Sequence, residues 1–136
     1  MSEAKRSRKI SPDSSLVWYS GAVMQGDQYG RTLGFPTANL DPSILRHITK
    51  EGVYACTVHL GSQNYRGALY LGPRLVLHET VRVLEIHIID FDREIYGQTL
   101  TFQLGPFIRP PMDFADSTTL QAQFSKDIAA VRGRLL

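Results

Sequence analysis

Between Thr80 and Phe91 apolar residues fall on alternate positions, so this part of the chain reads as a strand. Leu84, Ile86 and Ile88 form one apolar face; Val81, Val83, Glu85, His87 and Ile89 form the other. A period of two belongs to an extended chain and does not fit a helix. Asp92-Arg93-Glu94 turns the chain, and Ile95 to Leu104 returns with Tyr96, Leu100, Phe102 and Leu104 between polar partners. Leu16 to Met24, Gly52 to Leu60 and Tyr65 to Gly72 read as further strands, and Gly61-Ser62 joins the last two as an antiparallel hairpin. Asp41-Pro42-Ser43 opens a brief helical turn that ends before Gly52, while Pro106, Pro110 and Pro111 predict an irregular connection. Only the end is helical: from Leu120, the residues Phe124, Ile128, Val131 and Leu135 make one stripe. Asp116, Ser117 or Thr118 can cap it, and Thr118 with Gln121 has capping-box spacing. The pattern predicts an all-β fold, a small antiparallel barrel with a C-terminal α-helix over its open side or one end.

A chain of 136 residues suffices for one domain with its own core. Residues 15–136 are assigned to it. Residues 1–14 are Ser-rich and carry Lys5, Arg6, Arg8 and Lys9, which predicts a flexible polar tail. A net charge of +2 is too small to argue for nucleic acid. No apolar run reaches the length of a membrane span, and no signal peptide precedes the domain. One cysteine, Cys56, cannot form an internal disulfide and fits a reducing, cytoplasmic setting, where it serves as a small core residue.

Chemistry concentrates in Gly30-Arg31-Thr32-Leu33-Gly34-Phe35-Pro36-Thr37-Ala38-Asn39-Leu40. Glycines let backbone amides approach a ligand, and proline fixes the segment that follows. Gly26 to Gly30 falls one residue short of a P-loop, Arg31 stands where lysine belongs, and no helix follows. What remains is a flap whose amides, with Arg31, can wrap polyphosphate oxygens; the competing reading is a plain turn-rich hairpin. Thr37 and Asn39, two apart on extended chain, place both oxygens on one side about 7 Å apart. Hard oxygens of this kind suit Mg²⁺, although Thr and Asn after proline also bond local backbone in turns. Glu85 sits mid-strand among apolar residues. If both barrel faces are covered there, a desolvated carboxylate with a raised pKa suits a general base; on a wet face it is a surface ion pair. His87, on the same face, either orients that carboxylate or packs. Arg109, in a proline-bounded segment, makes an anion contact or is surface charge.

Together these residues resemble the riboflavin kinase (flavokinase) family, over about Leu16 to Leu135. The glycine-rich stretch is similar to the family's G-R-x-L-G-F-P-T-A-N-L signature. Leu84 to Asp92 is similar to its V-E-x-H-L-x-D-F-D strand, followed by Tyr96-Gly97, and Arg109 with Phe114 to its x-R-x-x-x-x-F segment. The resemblance implies a six-stranded antiparallel Greek-key barrel that phosphorylates riboflavin to FMN with ATP. It implies nucleotide binding by Gly26, Gly30, Arg31, Thr32, Gly34, Pro36 and Thr37, and metal ligation by Thr37 and Asn39, with Mg²⁺, Zn²⁺ or Mn²⁺ as the ion. Glu85 would be the base on the ribityl 5′-hydroxyl, and Arg109, Phe114 and Phe124 would face the flavin.

Two departures stand out. Pro73-Arg74-Leu75-Val76-Leu77 lacks the Pro-Thr that follows arginine in the family's R-P-T run, and Arg93 replaces the glycine of its D-F-D-G turn. The expected partners are ATP and riboflavin, with products ADP and FMN, no nucleic acid, no membrane, and a monomeric state. No adenylyltransferase motif precedes the domain, so FAD synthesis is not expected, whether the chain stands alone or is part of a bifunctional enzyme. The rival readings are a non-catalytic flavin or nucleotide sensor on the same barrel, motivated by the altered Pro73–Leu77 segment, and an OB-like nucleic-acid-binding barrel. The latter lacks a clustered basic and aromatic strand surface.

Overall fold

Six strands, all paired antiparallel, make one sheet with the order β1-β6-β3-β4-β5-β2. They are β1 (Trp18–Ala22), β2 (Ala38–Leu40), β3 (Gly52–Leu60), β4 (Gln63–Gly72), β5 (Val83–Ile88) and β6 (Thr99–Arg109), followed by helix α1 (Ser117–Arg132). The computed structural model describes residues 17–26 and 34–134. Three strands joined in succession, β3 to β5, with β6 returning beside β3, form a Greek key. The sheet closes where its two edges meet: Met24 N donates to the Asn39 carbonyl at 2.8 Å, just beyond the end of β1. The closed roll leaves little of either edge open.

The alternation in β5 decides what faces inward. Leu84, Ile86 and Ile88 are buried with Leu40, Val58, Leu69, Leu71, Leu100 and Phe102 in the barrel core. Each fully buried side chain of this size contributes about 1.5–3 kcal/mol. Gly67 is required here, because a Cβ on it would come within 2.8 Å of Ile86 and 2.9 Å of the Cys56 sulfur. Cys56 is fully buried in that core, and burial pushes its thiol pKa up.

A second, smaller core lies outside the barrel. Ala55 and Ile89 pack there with Val131 of α1, supported by Ala68, Ile108 and Ile128. Two alanines on neighbouring strands (Ala55 faces Ala68 in register) let the helix approach the sheet. So α1 lies on the outer face of β3, β4 and β6, rather than over an open side or an end. The small outward residues of β3 and β4 provide its seat.

Some boundaries meet expectation, the Asp116 cap among them, and others differ. Asp116 caps α1, accepting from Thr119 N at 2.8 Å and Thr119 Oγ1 at 2.7 Å, so Thr118 lies inside the helix. Pro106 lies within β6, where the β3–β6 register shifts between Tyr54 and Cys56; an irregular pairing tolerates a residue without an N–H. The strand expected over Thr80–Phe91 is ordered as a ladder only over Val83–Ile88. The turn after Asp41 forms as expected: Pro42–Leu45 is a 3-10 turn capped by the Asp41 side chain. The expected tail, residues 1–14, lies outside the described residues.

Candidate active site

The functional face is the outer side of β2 and β5. Asn39 stands directly opposite Glu85 in the antiparallel register, so their side chains leave the sheet on the same face. Thr37, two residues before Asn39, joins them: its hydroxyl donates to Glu85 Oε1 at 3.2 Å. Thr37, Asn39 and Glu85, brought together in sequence by nothing but a motif, thus form one cluster through strand pairing. Gly26 lies against it, because a Cβ there would fall 2.3 Å from the Asn39 amide nitrogen. Only glycine lets the start of the flap sit this close. Gly34, at the far end of the flap, has a φ of +88°, a left-handed conformation that favours glycine. Gly30, Arg31 and Thr32 lie outside the described residues.

Glu85 has a partner. Arg74 Nε donates to Glu85 Oε2 at 2.7 Å, and a terminal guanidinium nitrogen sits 2.7 Å from the same oxygen. Of the two readings of Glu85, a desolvated carboxylate or a surface ion pair, the structure combines parts of both: the carboxylate is part-buried and its charge is met by a guanidinium. His87 does not orient it. Its Nδ1–H donates to the Pro36 carbonyl at 2.8 Å, and its ring meets Phe35 edge-on at 5.7 Å. A carbonyl can only accept, so the bond fixes the imidazole tautomer and pins the segment before Thr37.

Facing this cluster across a cleft is a wall built by the end of β6, the segment after it and α1. Thr37, Tyr70, Arg74 and Glu85 line one side; Arg109, Met112, Phe114, Phe124 and Asp127 line the other, with Val53 and Ala68 between. Phe124 meets Phe35 edge-on at 5.2 Å, tying the two sides together. Arg109 is neither a free anion contact nor plain surface charge. Its Nε and one terminal nitrogen bond the two oxygens of Asp127 at 2.8 and 2.9 Å, in the bidentate fork that arginine makes with carboxylates. Asp127 is the one charged residue that is buried among the described residues, and Gln123 satisfies it further at 3.0 Å. The Arg109 guanidinium lies 6.0 Å from the Phe114 ring.

A second cleft opens on the other side of Pro36 and Thr37, lined by Phe91, Asp92, Arg93, Glu94 and Tyr96. Thr37 borders both clefts, so it stands in the partition between them. Tyr70 carries no sequence signal of a site; Arg74 stands at the arginine of the family's R-P-T run, and Asp127 in the terminal helix over which the resemblance extends, but neither is marked as a site residue. Arg74 lies in the very segment that departs from the family's pattern, and Asp127 occupies a helix position that polarity alone would put in water. Burial pushes the Tyr70 phenol up to about 12, with Glu51 adding to the rise and Arg109 opposing it. Its hydroxyl therefore stays a neutral donor and bonds the Pro73 carbonyl.

Among the described residues no three His, Cys, Asp or Glu side chains are grouped to hold a metal. The oxygens of Thr37 and Asn39, beside one carboxylate, are a donor set for a hard cation that keeps water or phosphate as its other ligands. The Thr37 hydroxyl spends its proton on Glu85, which leaves its lone pairs for such an ion.

Comparison with known proteins agrees with this architecture. The riboflavin kinase (flavokinase) family model matches residues 15–135. The chain belongs to the riboflavin kinase family. It is 36% identical over 108 residues to a bifunctional riboflavin kinase/FMN adenylyltransferase of Listeria monocytogenes, covering 79% of this chain and 34% of that protein. It is 35% identical over 116 residues to a protein of Bacillus subtilis named as an RNA-binding riboflavin kinase, covering 85% of this chain and 50% of the relative. The chain thus spans about a third to a half of the length of these relatives. The crystal structure of riboflavin kinase from Trypanosoma brucei superposes with a TM-score of 0.62 at 22% identity, covering 85% of this chain and 76% of that one, which shows a shared fold. No helix among the described residues is long and apolar enough to cross a membrane.

Proposed function

We propose that this chain is an ATP:riboflavin 5′-phosphotransferase, with Glu85 as its general base. The observation that carries the reading is the position of Thr37 and Glu85: one residue borders two clefts, and it is bonded to a carboxylate that lines one of them. A phosphotransferase needs two substrates to meet at such a partition. Phosphoryl transfer asks the protein for in-line placement and charge neutralisation rather than covalent chemistry.

Riboflavin would occupy the cleft between the strands and α1, its ring against Phe114, Phe124 and the apolar floor, with Arg109 at the edge. ATP would approach from the Pro36 side, its phosphates under the flap that carries Gly26, Gly30, Arg31, Thr32 and Gly34. Thr37 and Asn39 would hold Mg²⁺, with Zn²⁺ or Mn²⁺ as substitutes, and the ion would supply charge neutralisation for the phosphates. Glu85 takes the proton of the ribityl 5′-hydroxyl as its oxygen bonds to the γ-phosphorus. The bond from that phosphorus to the bridging oxygen breaks, ADP leaves with the electron pair, and Glu85 returns its proton to solvent. The part-buried setting of the carboxylate supports this role, since a base shielded from water works on the bound hydroxyl. The unit is residues 15–136, acting on small molecules as a cytoplasmic monomer. The sensor reading drew on the altered Pro73–Leu77 segment; the Arg74 bonds to Glu85 instead support a working role for that segment.

The test is chromatographic: riboflavin and MgATP incubated with the chain should yield FMN and ADP in equal amounts. Tight riboflavin binding without ADP formation would replace the enzyme with a sensor.

A further inference from the structure

Arg74 reaches Glu85 from the turn that follows β4. Two of its nitrogens converge on Oε2 at 2.7 Å each, while Thr37 holds Oε1 at 3.2 Å. A carboxylate bonded at both oxygens from opposite partners has lost its freedom to rotate. The side chains of Arg74 and Glu85 are only 16% and 15% exposed, so solvent screens the pair weakly. Glu79 stands farther from the guanidinium, at 3.8 Å.

The guanidinium is not needed to build its own turn. Leu77 N and Glu79 N both donate to the Arg74 main-chain carbonyl, at 3.1 and 3.2 Å, and the side chain makes no capping bond. Backbone bonds hold the turn, while the guanidinium makes its short contacts with Glu85 and a longer one with Glu79.

We infer that Arg74 is a positioning residue for phosphoryl transfer: by gripping Oε2 it fixes the carboxylate of Glu85 toward the acceptor hydroxyl. The inference rests on the phosphotransferase reading above. Arg74 acts through Glu85, so its loss affects turnover rather than riboflavin affinity. A lysine in its place supplies the charge without the planar fork, and restores the function in part.

The experiment uses the full chain with MgATP and riboflavin, comparing wild type, Arg74→Ala, Arg74→Lys, Glu85→Gln and the double variant Arg74→Ala/Glu85→Gln. Arg74→Ala should lower kcat about 10²-fold, the loss that a small misplacement of a reacting group brings. Riboflavin affinity, read by quenching of flavin fluorescence, should stay within about twofold, which separates positioning from binding. Arg74→Lys should recover part of kcat, and it remains the informative variant if Arg74→Ala melts early. In the Glu85→Gln background, Arg74→Ala should cost nothing further, as coupled residues do in a double-mutant cycle. The inference fails if kcat survives Arg74→Ala, if riboflavin affinity falls in its place, or if the two losses multiply. A wild-type chain that makes no FMN overturns the phosphotransferase reading and this inference with it; an active wild type with insensitive Arg74 variants overturns this inference alone.

Discussion

The two walls of the cleft hold polar groups in half-dry surroundings by different means. On the strand wall, Thr37, Asn39 and Glu85 stand on paired backbone, with Asn39 and Glu85 facing each other across the ladder. Main-chain pairing brings them to one face, and Thr37 and Arg74 then hold the two oxygens of Glu85. On the helix wall, Arg109 and Asp127 use their charges on each other, and that bidentate pair helps hold α1 to the end of β6. A strand can present a polar group without help from it, whereas a helix laid on a sheet must be anchored. One wall is therefore built for chemistry and the other for holding shape.

That division can be broken or sharpened by substitution. The largest effect should come from Glu85→Gln, with kcat falling about 10²- to 10⁴-fold, the range a general base contributes, in a chain that still folds but melts somewhat lower because Arg74 loses its countercharge. Normal turnover in that variant would remove chemistry from the strand wall. Asp127→Ala should destabilise the fold by about 3–5 kcal/mol in urea unfolding, because it strands the guanidinium of Arg109 in a part-buried site. A loss near zero would mean that the pair is ornamental and α1 is held by Val131 and Ala55 alone. Phe124→Ala removes a ring that lines the cleft proposed for riboflavin and should raise the riboflavin KM about three- to tenfold with kcat kept, since an aromatic contact with the flavin is worth about 0.5–1.5 kcal/mol. A fall in kcat at constant KM would move Phe124 from binding to catalysis.

The smallest effect concerns Tyr70. Its folded phenol titrates at about 12 against an ordinary value of 10.0, so above pH 10 the unfolded chain loses a proton that the folded chain keeps. The contribution is therefore fully present below pH 10 and is lost as pH rises from about 10 through about 12. Tyr70→Phe should flatten the slope of urea midpoint against pH over this window; an unchanged slope would assign it to other groups.

Much of this was legible in the sequence because it rests on local pattern. The alternation of Leu84, Ile86 and Ile88 states which face of β5 is core, and Asp41 before Pro42 announces the turn it caps. The Thr37, Asn39 and Glu85 cluster was legible for a different reason: a motif named its members, although only the β2–β5 register makes them neighbours. The role of Arg74 was hidden although it matches the arginine of the family's R-P-T run, because the missing Pro-Thr beside it reads as a loss and only the fold brings it to Glu85. The helix seat was hidden too, since Ala55 and Ala68 look like ordinary strand residues until the sheet places them side by side.

By itself the sequence determined the strands, the C-terminal helix and the short list of groups able to do chemistry, because period, turn residues and side-chain type act over a few positions. Tertiary structure decided which of those groups meet: Arg74 with Glu85, Arg109 with Asp127, and Thr37 between two clefts. The reason is that strand register and helix docking are set by burying distant apolar faces together, and a polar side chain's partner is whatever that burial brings within a hydrogen bond's length.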